Sequence, residues 1–93
     1  MSELKTEILE ELRRIAKKEL EFERTIEPAM TLKDDLQLDS MGMIIVAVGL
    51  ENRFRVKLQE EDGGDLTTVA DLLSLVERRV TEVQHESHPL GAP

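Results

Sequence analysis

The chain has 93 residues and a formal net charge of −8, with no Cys, no Trp and no Tyr. That length gives one small domain burying roughly 60–65% of the surface of its unfolded chain, so the core is modest and aliphatic and a complete enzyme active site is hard to house. Without Cys there is no disulfide framework and no thiolate metal site, and the acidic field repels phosphate backbones, which argues against nucleic-acid binding and favours partners with basic surfaces.

Met1-Ser2-Glu3-Leu4-Lys5 lacks the basic-then-apolar pattern of a signal peptide. No apolar run approaches the ~20 residues of a membrane helix, so no membrane insertion is expected and the chain reads as soluble and cytoplasmic; a monomer is expected. Residues 3–21 read as an amphipathic helix. Leu4, Ile8, Leu12, Ile15 and Ala16 recur at helical steps, Leu9 and Leu20 widen the stripe, and Ser2 is positioned to cap it. Glu10 and Arg14 form its attractive i,i+4 pair.

Residues 22–38 read as a long loop broken by Pro28 and pinned to the core by Ile26, Met30, Leu32, Leu36 and Leu38. The second helix is expected over 40–54. At 100° per residue, Met43, Val46, Ala47, Leu50 and Phe54 share a core face, while Met41, Ile44, Ile45 and Val48 form a second apolar stripe opposite. That stripe either offers itself to a partner or packs under the 22–38 loop. Residues 55–67 connect onward, with one helical turn around 60–65 opposed by Gly63-Gly64. Thr68 caps a last helix over 69–83, with Val69, Leu72, Leu73, Val76 and Val80 on one face. Residues 84–93, carrying Pro89, Gly91 and Pro93, are expected to be a disordered tail. The organisation is thus an all-α bundle of three or four helices over residues 1–83, with a long first loop.

Ser40 stands at the start of the second helix, directly after Asp39. Taken alone, an Asp-Ser pair there is most often a cap. Nucleophilic catalysis by Ser40 needs a neighbouring base, and the two histidines, His85 and His88, lie in the tail. No Gly-x-Ser-x-Gly elbow exists. The histidines are a weak metal pair, and the run Glu60 to Asp65 lacks EF-hand spacing.

The wider constellation adds to this. Asp35-Leu36-x-Leu38-Asp39-Ser40-Met41 opens a helix that ends in Leu50-Glu51-Asn52-Arg53-Phe54-Arg55-Val56, and Leu66-Thr67-Thr68-Val69-x-Asp71-Leu72 opens the next. This order and spacing, from about Leu4 to Val80, resemble the acyl carrier protein family in its free-standing bacterial form. The resemblance implies a carrier, not an enzyme. Ser40 matches the serine that accepts 4′-phosphopantetheine from coenzyme A, attached by a separate Mg²⁺-dependent phosphopantetheinyl transferase. Asp39 matches the acid that supports this modification. The arm's thiol would carry acyl groups as thioesters between acyl-transferring and chain-elongating enzymes, in fatty-acid, lipid or polyketide-type biosynthesis. Val46, Leu50, Leu66 and Val69 correspond to the family's acyl-chain pocket, and plain core packing is their alternative reading.

Three positions depart from the family pattern. Gln37 stands where a Gly is usual, Gly63-Gly64 fall on the family's short third helix, and Ile45 replaces a common acid on the second helix. Glu51 is the acid that remains there, so partner docking through Met41, Ile44, Ile45, Val48 and Glu51 is expected to be unusually hydrophobic. The alternative function is an unmodified helical interaction module of the same fold.

Overall fold

Ser2 opens the first helix by accepting the Lys5 N–H on its hydroxyl at 3.1 Å. The computed structural model describes residues 2–58 and 66–90, with 84–90 described by their backbone alone. Among them are three helices: α1 (Glu3–Glu19), α2 (Ser40–Phe54) and α3 (Val69–Leu90). The short helical turn expected around 60–65 lies outside the described residues, as do residues 91–93 of the expected tail.

The α1 stripe is the bundle's foundation. Ile8, Leu9, Leu12, Ile15 and Ala16 are all buried, and α1 packs on both α2 and α3. The two other helices add Val46 and Leu50, and Val69, Leu72, Leu73, Val76 and Val80. At the end of α1, Glu21 turns into the left-handed region at φ 54° while Leu20 and Phe22 donate to the Ala16 carbonyl, which stops the helix.

The charge pairing on α1 differs from the expected Glu10–Arg14 pair. Arg14 instead pairs with Glu11, and Glu10 with Arg13 at 2.9 Å. Arg13 also donates Nε and Nη2 to the Ile26 carbonyl, at 3.0 and 2.7 Å. Serving that carbonyl leaves Arg13 within reach of Glu10, so Arg14 turns to the buried Glu11. The hydrogen bond from Arg14 holds the Glu11 carboxyl below the usual carboxylate range, and Arg53 at 3.9 Å adds to it, against burial, which pushes the other way.

A carboxyl depressed by folding contributes stability above the unfolded value, near pH 4, and loses it as pH falls through the folded value. Glu11→Gln is therefore expected to lower stability at neutral pH by about 1 kcal/mol, discounted for the solvent exposure of Arg14. The substitution is also expected to flatten the acid limb of a denaturation-midpoint-against-pH curve below about pH 4. An acid limb identical to wild type would remove Glu11 from this role.

The long loop is tied down rather than loose. Ile26, Leu32, Leu36 and Leu38 are buried. Its backbone is sewn to the start of α3: Leu32 N–H donates to Thr67 O at 2.9 Å, Val69 N–H to Met30 O at 2.8 Å, and Ala70 N–H to Pro28 O at 2.9 Å. Thr31 and Thr68 thereby form an isolated antiparallel bridge. Thr68 caps α3 by accepting the Asp71 N–H, and Asp71 accepts the Thr67 and Thr68 N–H groups in return. Those donated amides hold the Asp71 carboxyl below its ordinary value.

The chain's end departs from expectation. Helix α3 continues to Leu90, well past residue 83 where a disordered tail was expected. Residues 81–88 contain neither Gly nor Pro, so nothing interrupts the hydrogen-bond ladder before Pro89, and the described helix runs through Leu90.

Candidate functional site

The start of α2 is built by Asp39. Its carboxylate Oδ1 accepts the Gly42 N–H at 2.8 Å, and its carbonyl accepts the Met43 N–H at 2.9 Å. Asp39 is therefore the N-cap, and Ser40 is the first helical residue. Both are exposed. No hydrogen bond to the Ser40 hydroxyl forms among the described residues, so this side chain is not needed as a cap. Leu38, just before, is buried and anchors the step to the core. A Cβ on Gly42 would lie 3.1 Å from Leu38 Cδ2 and 3.3 Å from Asp39 Oδ1, so the small residue keeps the first turn seated on its cap.

Gln37 enters this step at φ 55°, in the left-handed region. That conformation explains why a Gly suits the position: a side chain there clashes with its own backbone at a cost of about 1 kcal/mol. Gln37→Gly is expected to stabilise the protein by up to about 1 kcal/mol, read as a rise in melting temperature of about 4–8 °C. A fall in melting temperature would contradict the assigned backbone.

Ser40 and Asp39 share a groove of about 690 Å³ with apolar side chains from the loop, α2 and α3. Leu32, Leu38, Met43, Val46, Leu66, Leu72 and Leu75 line it, and Lys33 is its cation. The expected pocket set is only partly brought together. Val46 and Leu66 are in the wall, but Leu50 and Val69 are wholly buried in the helix core. Leu50 lies a turn beyond Val46, away from Ser40, and Val69 is held inward by its bond to Met30. Leu72 and Leu75, spaced i,i+3, form the α3 wall; Leu72 was expected in the core stripe, while Leu75, off that stripe yet buried, was not singled out.

The outer stripe of α2 also resolves. Met41, Ile44 and Val48 are 63%, 56% and 46% exposed, so they do not pack under the loop. Ile45 is half-buried and packs against the core. Glu51 is half-buried too, and its Oε2 accepts the Leu58 N–H at 2.8 Å. It holds the chain after α2, where Arg55 turns left-handed at φ 57°. The stripe is therefore narrower and less acidic than the expected five-residue set. Among the described residues no group of three or more His, Asp or Glu could hold a metal ion, and no helix is long and apolar enough to cross a membrane.

The chain as a whole is similar to known proteins. A family model described as "Phosphopantetheine attachment site" matches residues 10–76. The meromycolate extension acyl carrier protein of Mycobacterium tuberculosis (strain H37Rv) is 33% identical over 86 residues, covering 92% of this chain and 70% of the relative. The acyl carrier protein of Micrococcus luteus is 32% identical over 74 residues, covering 78% of this chain and 91% of the relative. The crystal structure of an acyl carrier protein from Thermotoga maritima superposes with a TM-score of 0.78 at 21% identity, covering 87% of this chain and 95% of that one. This last likeness is one of fold.

Proposed function

The chain belongs to the acyl carrier protein family, which implies a covalently attached 4′-phosphopantetheine and dealings with acyl-handling enzymes, and we propose that the arm is attached here through Ser40 Oγ. The observation that carries this reading is the exposed, unbonded Ser40 hydroxyl on the first turn of α2, beside an apolar groove. When bound, the arm supplies a terminal thiol on which acyl groups travel as thioesters.

The chain's own residues do the rest. Asp39 holds the helix start, so the Ser40 hydroxyl stays available to a transferase. Its carboxylate accepts the Gly42 N–H, and no hydrogen bond joins it to the Ser40 hydroxyl among the described residues, which favours an acceptor over a catalyst. The apolar groove is suited to shelter part of a carried chain, with Val46 and Leu66 in its wall. Met41, Ile44 and Val48 begin one residue after Ser40 on the same helix. An enzyme that reaches Ser40 therefore covers them, and docking is through apolar contact. The setting is cytoplasmic fatty-acid, lipid or polyketide-type synthesis; relatives named for meromycolate extension support a chain-extending role.

The test uses an acyl-coenzyme A, Mg²⁺ and a phosphopantetheinyl transferase, followed by intact mass. The protein is expected to gain the arm together with the acyl group. Neutral hydroxylamine should then remove the acyl group alone, because it cleaves thioesters and leaves phosphodiesters. A gain that resists hydroxylamine would overturn the thioester reading. No gain with any of several transferases would favour an unmodified interaction module working through the same apolar stripe.

A further inference from the structure

We propose that Lys33 is the cation that holds the phosphodiester of the arm at the rim of the groove, and so steers the arm along the groove instead of into solvent. This rests on the reading of Ser40 as the attachment point. Lys33 occupies a fixed turn. Thr31 N–H donates to Asp35 Oδ2 at 2.8 Å, Asp35 N–H donates to Thr31 Oγ1 at 3.0 Å, and Leu36 N–H donates to Thr31 O at 3.1 Å. Leu32 and Leu36, on either side, are buried. Leu38 N–H donates to Leu32 O at 3.0 Å, which binds this turn to the residue just before Asp39 and Ser40. Lys33 and Ser40 consequently face one groove.

Charge makes the pairing useful. A phosphodiester on Ser40 adds a negative charge beside Asp39, in a protein already at −8. Asp34 is exposed next to Lys33, and the Asp35 carboxylate is occupied by Thr31. Lys33 is the one cation among the residues that line the groove, and it makes no ion pair among the described residues. Its aliphatic stem can lie along the apolar wall while the ammonium stays at the wet rim. A lysine serves phosphate as a mobile point charge, and the positive end of α2 acts in the same direction.

The experiment uses holo protein made by a transferase, with intact mass taken first and ³¹P NMR of the diester second. In wild type the diester resonance is expected to move as salt rises from low to about 1 M, where screening shortens to about 3 Å. In Lys33→Gln it is expected to sit at the high-salt position throughout, and Lys33→Arg should restore the wild-type response. Cross-relaxation between the Lys33 ε-methylene and arm protons should appear in wild type. A Ser40-linked mass gain with identical, salt-insensitive ³¹P resonances in wild type and Lys33→Gln would overturn the role of Lys33 alone. The absence of any mass gain would overturn the attachment reading, and the Lys33 proposal with it.

Discussion

Replacing Gly49 by valine is expected to destabilise the protein by about 2–3 kcal/mol, a large share of a small domain's total. The cause is the closeness of α1 and α2 at this point. A Cβ on Gly49 would fall 2.5 Å from Ile15 Cδ1 and 3.1 Å from Ile15 Cγ1. Ile15 is only 4% exposed, and its β-branched side chain has few rotamers to escape into. Adding carbon here forces the helices apart or drives Ile15 off its rotamer. The melting temperature should fall by about 10–20 °C. Gly49→Ala separates the two opposing effects, since its gain of about 1 kcal/mol in helix propensity offsets part of the clash. In the background of Ile15→Val, which removes the offending Cδ1, Gly49→Ala should become stabilising. A Gly49→Val protein as stable as wild type would show that the helices do not approach this closely.

The second large effect concerns recognition. Ile44→Asp and Val48→Asp are each expected to slow transfer of the arm onto the protein by about 10-fold or more, the scale of one interface hot spot. Both side chains are substantially exposed in the free protein, so their unfolding free energies should stay within about 0.5 kcal/mol of wild type. The proposed docking contribution is apolar. Between Asp39 and Glu51 helix α2 carries no carboxylate, and Glu51 is engaged with Leu58. Raising the salt to about 0.5 M should therefore change the wild-type rate little, whereas docking through acids would weaken steeply under the same screening. Variants that are modified at the wild-type rate would remove the stripe from the docking surface.

The start of α2 was legible because Asp39 reads as a cap, whereas its end after Phe54 is made by a left-handed turn at Arg55 that an arginine does not announce. The α1 stripe was equally plain, because five apolar residues at helical steps have one way to be buried. The end of α3 was not legible. Pro89 and Gly91 suggested a tail, but the residues just before Pro89 include neither Gly nor Pro, and they keep the helical ladder. The Arg14 partner was missed for a different reason. Helical spacing permits both i,i+3 and i,i+4 pairs, and the choice was made by a distant carbonyl, that of Ile26, which claims Arg13.

At the site, periodicity found the outer stripe but not its edges. Ile44 and Ile45 are neighbours 100° apart, and only packing decides that the first is open and the second half-covered. The groove was half legible. Leu32 and Leu38 read as pins for the loop, and the fold makes them wall as well. Lys33 had no signal at all, since its relation to Ser40 passes through the hydrogen bond between Leu38 and Leu32.

On the proposed reading one hydroxyl, that of Ser40, bears the arm. Intact mass after incubation with coenzyme A, Mg²⁺ and a phosphopantetheinyl transferase tests it most directly, with fragmentation to locate the added mass. Wild type should gain about 340 Da on the peptide containing Ser40, while Ser40→Ala, whose exposed position leaves the fold intact, should gain nothing. An equal gain on Ser40→Ala, or a gain located on another serine or threonine, would contradict the claim.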